Sequence, residues 1–178
     1  MTAELPPEIT AALALKEEVL WWAQPRPYVY LLRGLPAIFY GITWSVLGAY
    51  WYHGANLAFW EGWWNIVPTL SLPFIFCGFS FFLYPISLGS RARHTWYVVT
   101  NKRIFIARLI KKKLNLRVFT REEMGPPHVI KRFDGLYEVV LVRSAQDKPY
   151  LIPRLEAGFF GITDGEAAEQ AINTALGR

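Results

Sequence analysis

Residues 34–60 read GLPAIFYGITWSVLGAYWYHGANLAFW, and residues 62–90 read GWWNIVPTLSLPFIFCGFSFFLYPISLGS. Neither stretch holds an Asp, Glu, Lys or Arg, and Glu61 stands alone between them. Each exceeds the roughly 20 apolar residues that cross about 30 Å of hydrocarbon as a helix. They predict a transmembrane hairpin, with one span over residues 35–52 and a second within residues 66–88. Pro36 suits a first helical turn, where its missing N–H costs nothing. Pro68 is placed to open the second span, and Pro73 predicts a kink. A buried hairpin of a soluble protein does not fit, because the rest of a 178-residue chain is too small to cover two such helices on all sides. A secretory signal is not expected either: the first apolar stretch starts after residue 33 and lacks a short core ending in a small-residue cleavage site.

The aromatic residues agree with the hairpin. All eight tryptophans lie at or before residue 96. Trp21 and Trp22 precede the first span, Trp51, Tyr52, Trp60, Trp63 and Trp64 surround the inter-span loop, and Trp96 follows the second span. Trp and Tyr collect at membrane–water interfaces because their rings are apolar with one polar edge. Arg26 and Arg33 precede span one, Arg91, Arg93, Lys102 and Arg103 follow span two, and the loop between carries no Lys or Arg. Positive charge stays on the cytoplasmic side, so both termini are expected there.

Composition supports the same class. Charged residues make up 19% of the chain, against about 25% in a typical soluble domain. A 53% hydrophobic content excludes a disordered chain, and the single cysteine, Cys77, excludes a disulfide scaffold. Residues 91–178 hold 16 Lys+Arg against 9 Asp+Glu, whereas residues 1–33 hold 3 against 4. The basic character therefore belongs to the C-terminal part.

That part reads as strands. HTWYVV, RIFIARLI, LNLRVFT, HVIKRF, LYEVVLV and PYLIPRL, within residues 94–155, are rich in Val, Ile, Tyr and Phe. Turn signals separate them, including Met124-Gly125-Pro126-Pro127 and Phe133-Asp134-Gly135-Leu136, the latter reading as a type I′ hairpin turn. Six short strands predict a small antiparallel barrel or sandwich. Gly158-Phe159-Phe160-Gly161-Ile162 reads as an apolar connection. Thr163-Asp164-Gly165-Glu166 reads as a capping box. Ala167, Ala168, Ala171, Ile172, Ala175 and Leu176 then form a helical stripe that Gly177 stops. The division is an N-terminal juxtamembrane segment over 1–33, a two-helix transmembrane hairpin over 34–90 and a cytoplasmic domain over 91–178. In the first segment, residues 9–20 fit a short amphipathic helix, and residues 17–27 alternatively fit a strand that ends at the prolines.

Three pieces carry a family resemblance: Glu17-Glu18-Val19-Leu20-Trp21 followed by Pro25-Arg26-Pro27, Tyr97-Val98-Val99-Thr100-Asn101-Lys102-Arg103-Ile104, and Gly158-Phe159-Phe160-Gly161-Ile162-Thr163-Asp164 before an Ala-rich helix. In these the chain resembles bacterial membrane proteins with a pleckstrin-homology-like (PH-like) domain. The resemblance implies a mainly-β PH-like barrel, a strongly bent antiparallel sheet capped by a C-terminal helix, and a place in the cell inner membrane as a multi-pass protein. It implies no catalytic residue and no cofactor. Some members of that family assist assembly of membrane complexes, photosynthetic ones among them.

No enzyme signature stands out in the sequence. His53, His94 and His128 are scattered, without the close spacing of a metal site. Cys77 falls in a span and reads as a small apolar residue. No G-x-S-x-G, Walker loop or G-x-G-x-x-G occurs. The expected function is non-enzymatic: presentation of a PH-like domain for protein interaction, as an assembly factor or accessory subunit of a membrane complex. The alternative is an anionic-lipid headgroup module built from Arg108, Lys111, Lys112, Lys113, Arg117 and Arg121, since basic residues near an anionic leaflet gain about 1 kcal/mol each. Nucleic acid does not fit, because turn aromatics for base stacking are lacking. A transporter does not fit the uncharged spans. Gly41, Ser45, Gly48 and Ala49 form a small-residue face suited to close packing within the hairpin. A topology reporter fused after Arg178 is expected to be active only as a cytoplasmic enzyme; activity confined to the other side would reverse the orientation.

Overall fold

Two sets of apolar positions with different periods produce two units: residues Met1–Val29 with Arg91–Arg178, and residues Tyr30–Ser90. The computed structural model describes residues 5–58, 69–111, 113–120, 122–142 and 157–177. The chain runs α1 (Pro7–Ala11), β1 (Val19–Ala23), α2 (Pro27–Ala58), α3 (Leu72–Arg93), β2 (Thr95–Thr100), β3 (Ile104–Ile110), β4 (Lys113–Phe119), β5 (Met124–Lys131), β6 (Tyr137–Val142), β7 (Gly158–Ile162) and α4 (Gly165–Leu176).

In the β unit, one antiparallel sheet has the order β1-β2-β3-β4 and a second the order β5-β6-β7. Residues 1–29 therefore do not form a separate segment. β1 pairs along β2, Trp22 opposite Val98 and Ala23 opposite Tyr97, so the helical stretch is an insertion between two neighbouring strands. The strand alternative for residues 17–27 is the one the chain takes, and helix is confined to the single turn of α1. The inner core joins Tyr97, Ile104, Ile106 and Phe119 of the first sheet to Val139, Leu141 and Phe159 of the second, with Ala168 and Ile172 of α4 closing it. Phe159 is its centre, stacked on Tyr97 at 4.7 Å and on Trp21 at 5.6 Å. The outer face of the first sheet is covered too: Ile9 packs with Val98, Phe105 and Ala107.

Four local expectations change. Residues 158–162 are not a connection but β7, the last strand of its sheet, whose five residues are all buried. Its sequence hides this, since a strand covered on both faces lacks alternation. Gly158 is required there, because a Cβ would run into the Val139 carbonyl. Gly125-Pro126-Pro127 is not a turn but lies within β5, where the register shifts between Met124 and His128. β5 is an edge strand, and an edge tolerates prolines at a bulge. Of the Asp134-Gly135 turn, only Gly135 has positive φ, +79°. With Gly135 N–H donating to Arg132 O at 3.1 Å, this is a longer loop ending in a left-handed glycine rather than a type I′ turn. The cap of α4 is Asp164, accepting from the Ala167 amide at 3.0 Å, one residue beyond Thr163; Gly177 ends the helix at φ +70°. The expected strand over residues 149–155 lies outside the described residues.

In the helical unit, α2 and α3 are both long and apolar enough to cross a membrane, at about 48 and 33 Å. α2 begins nine residues before Pro36, which is therefore inside the helix rather than in its first turn. Pro73 is the second residue of α3 and Pro85 is the internal proline, so no mid-helix kink arises at Pro73. Pro68, Trp60, Trp63 and Trp64 lie outside the described residues. The helices approach through glycines. A Cβ on Gly34 would lie 2.7 Å from Pro85, on Gly41 2.9 Å from the Gly78 carbonyl, and on Gly48 2.8 Å from Ile75. The seven-residue spacing of these three glycines keeps one α2 seam against α3. Trp44 stacks on Phe74 at 5.5 Å beside that seam. Two hydroxyls bond within their own helices, Thr43 donating to Phe39 O at 2.9 Å and Ser80 to Phe76 O at 2.9 Å, whereas Ser45 Oγ is buried without a hydrogen-bond partner.

Gly78→Leu is expected to destabilise the helix pair by about 1–3 kcal/mol through overpacking against Ser45 and Gly41. Thermal unfolding in detergent, followed by tryptophan fluorescence, checks it; Gly54→Leu, where a Cβ meets nothing within 4 Å, is the matched control and leaves the midpoint unchanged.

Candidate functional site

The Thr100-Asn101-Lys102-Arg103 turn between β2 and β3 has a structural task. Arg103 Nε donates to Glu17 Oε1 at 2.8 Å, and its Nη2 to Glu17 Oε2 at 3.1 Å and Ala12 O at 2.9 Å. Thr100 Oγ1 donates to Glu17 Oε1 at 2.8 Å, and the Ala14 amide donates to Glu17 Oε2 at 2.6 Å. Asn101 accepts from the Glu18 amide at 3.1 Å, and Lys102 Nζ donates to Leu15 O at 2.6 Å. The four-residue turn thus clasps residues 12–18 and delivers β1 to β2. The Glu17 side chain is fully buried. Burial alone would raise its carboxyl; the bonds from Arg103, Ala14 and Thr100, with the Arg103 charge, outweigh that and hold it below its ordinary value of 4.5.

β1 then opens a surface groove. Its register slips by one residue between Val19 and Trp21. A bulge of this kind re-aims side chains, and here the consecutive Leu20 and Trp21 both face α4. They line a groove of about 340 Å³ with Ala167, Gln170, Ala171 and Thr174. Sequence reasoning missed this groove. Its only signal is the run of five apolar residues, Val19 to Ala23, which shows no alternation to say which way each side chain faces.

The basic residues separate. Arg108 lies in β3 opposite Thr95 and Asn115, its Nε buried without a hydrogen-bond partner. Lys113 opens β4 opposite Ile110, with Lys111 following the end of β3 in a turn. Lys111 sits at φ +47°, a conformation that glycine or asparagine adopts more readily. Arg117 is drawn away by an ion pair to Glu123 at 3.0 Å. Lys112 and Arg121 lie outside the described residues. Arg108, Lys111 and Lys113 therefore share one hairpin end, and Arg117 points its charge elsewhere.

A second charged cluster was not foreseen as a unit. Arg132 donates to Asp134 at 3.3 Å and to Glu138 at 2.8 Å, and Tyr28 OH donates to Asp134 Oδ2 at 3.0 Å. Burial alone would raise the Asp134 carboxyl, but the Leu136 amide, Tyr28 and Arg132 together lower it. His53 is exposed on α2, His94 and His128 are exposed on the β unit, and Cys77 is exposed on α3. Among the described residues, no three His, Cys, Asp or Glu side chains are grouped to hold a metal ion. No protein-family model, no curated protein and no solved structure matches the chain.

Because the Glu17 carboxyl is held below its unfolded value, it adds stability that is complete above about pH 4.5 and lost as pH falls through the folded-state value. Glu17→Gln is expected to lose about 1–3 kcal/mol at neutral pH, with the difference from the parent shrinking below pH 4.5. Urea unfolding of the full chain at neutral and acid pH measures both.

Proposed function

We propose that the chain is a non-enzymatic inner-membrane protein whose two helices hold a cytoplasmic PH-like domain for binding another membrane protein, as an assembly factor or accessory subunit. The observation that carries this is the insertion of the helices between two paired strands, β1 and β2. A domain interrupted there is tethered at two points, which suits a fixed platform better than a freely diffusing catalyst.

Several features support membrane insertion. Only 17% and 22% of the two apolar windows are buried, where the core helix of a soluble protein would be mostly covered. Phe39, Val46, Tyr50, Phe76, Phe79, Leu83 and Ile86 are all exposed, an arrangement that lipid tolerates and water does not. Arg26, Arg33, Arg91 and Arg93 flank the helices on one side of the pair and support cytoplasmic termini. The four-plus-three strand order with a closing C-terminal helix is compatible with a PH-like barrel. The groove between β1 and α4 offers an apolar floor and an edge strand to a partner segment.

A second reading is favoured by Lys111: a lysine held at φ +47° in a run of three suggests that charge outweighs backbone ease at that tip. It assigns Arg108, Lys111, Lys112, Lys113 and Arg117 to anionic headgroups. A benzophenone amino acid at Gln170, in the full chain expressed in its native membrane, separates the two. One discrete protein adduct, abolished by Leu20→Asp, is the expected result. No adduct, with anionic lipid retained on the purified protein unless Lys111, Lys112 and Lys113 are replaced by Gln, would give the function to the headgroup reading.

A further inference from the structure

The β5–β6 hairpin tip carries a residue that the fold does not require. Phe133 is 95% exposed. The loop closes through Arg132 N–H to Leu136 O at 2.7 Å, Gly135 N–H to Arg132 O, and the Leu136 amide to Asp134 Oδ1 at 3.2 Å. None of these bonds uses the side chain at position 133, so a polar residue would close the turn equally well. Water is a poor environment for a whole phenyl ring at a hairpin tip.

The tip is nonetheless held firmly, and it is held next to the point where the chain leaves for the first helix. Arg132, whose side chain is 19% exposed, is fixed by Asp134 and Glu138 and keeps its guanidinium 5.8 Å from the Phe133 ring centroid. Asp134 is bonded to Tyr28, the second residue of α2. The Arg26 amide donates to Gly161 O at 3.0 Å, which ties the start of that helix to β7. Arg33, the last charge before the uncharged stretch, follows Tyr28 by little more than one turn. Lys131 and Arg26 are exposed, Lys131 with its Nζ 5.8 Å from the Tyr137 ring centroid, and Ile130 is 41% exposed on the same hairpin.

We infer that the β5–β6 tip is a lipid anchor: Phe133 enters the interfacial layer of the bilayer, with Lys131 and Arg26 at the level of the headgroup phosphates. This rests on the membrane-spanning reading of α2 and α3. An exposed apolar ring on a hairpin that also carries the exposed Lys131 has the composition of interfacial anchors, which combine apolar insertion with attraction to anionic lipid. A protein-docking patch would need a broader contiguous apolar area than one hairpin tip offers.

The test uses the full chain in phosphatidylcholine–phosphatidylglycerol vesicles with an environment-sensitive thiol label. The native Cys77 reports on α3. On a Cys77→Ser background, Phe133→Cys reports on the tip, Lys131→Cys repeats the measurement one turn position away, and Glu122→Cys, exposed before the far end of β5, is the reference. Lipids carrying a nitroxide near the headgroup are expected to quench labels at 133 and 131 roughly twofold more than at 122, and a nitroxide deep in the acyl chain to quench Cys77 most. Equal quenching at 133, 131 and 122, with Cys77 quenched by the deep probe, overturns the anchor while leaving the spans intact. No quenching at Cys77 overturns the spans and the anchor with them.

Discussion

The Glu17–Arg103 pair is the constraint on which the β unit depends. It joins residues 86 positions apart, with the carboxylate fully buried. A buried carboxylate is tolerable only when every lone pair is met, and Thr100, Ala14 and the Nε–Nη2 edge of the Arg103 guanidinium meet them here. Asn101 and Lys102 extend the same grip to the backbone of residues 15–18. Without it, the N-terminal residues would have to find β2 across an insertion of two long helices, with only short-range apolar contacts to guide them. The clasp converts that search into one specific polar match, after which Trp21 reaches Phe159 and Ile9 closes the outer face of the first sheet.

The same economy of connection recurs where the chain passes between units. Gln24 Nε2 donates to Arg93 O at 2.6 Å, so the outgoing and returning segments are bonded to each other within the β unit. The Leu109 amide donates to His94 O at 2.9 Å, and Thr95 Oγ1 to Arg91 O at 2.7 Å. Short polar bonds of this kind hold the ends of the insertion at the spacing that β1 and β2 require.

How much of this was legible in the sequence follows from what each pattern encodes. The helices were plain, because charge-free runs need no partner to be recognised. Four strands, β2, β3, β4 and β6, were plain in position from Val, Ile, Tyr and Phe between turn residues, and β5 only in its second half, because Met124-Gly125-Pro126-Pro127 imitates a turn. β7 was not, because a strand buried on both faces loses its alternation and its two glycines imitate a loop. β1 was readable only as one of two options, since its identity depends on a partner strand 71 residues further on. The Thr100–Arg103 turn could be seen as a motif, but its four side chains are explained only once Glu17 is beside them. The basic run at Lys111 was visible as charge. That Arg117 turns to Glu123 instead was not, because an ion pair across a loop leaves no periodic trace. The groove was invisible for a similar reason: it arises from a one-residue slip in β1, which no spacing rule announces.

The position of β1 ahead of the helices also sets an order of events during synthesis. Ala23 leaves the ribosome 77 residues before Thr100, the end of its partner strand, and at 5–20 residues per second that interval is roughly 4–15 s. Throughout it, Trp21, Trp22 and Ile9 have no sheet to cover them, and Glu17 has no arginine. The β unit therefore cannot complete itself before both helices have been made. A chain whose helical hairpin is incomplete keeps an unmatched, apolar leading segment on display, through the same residues that close the sheet once β2 is made.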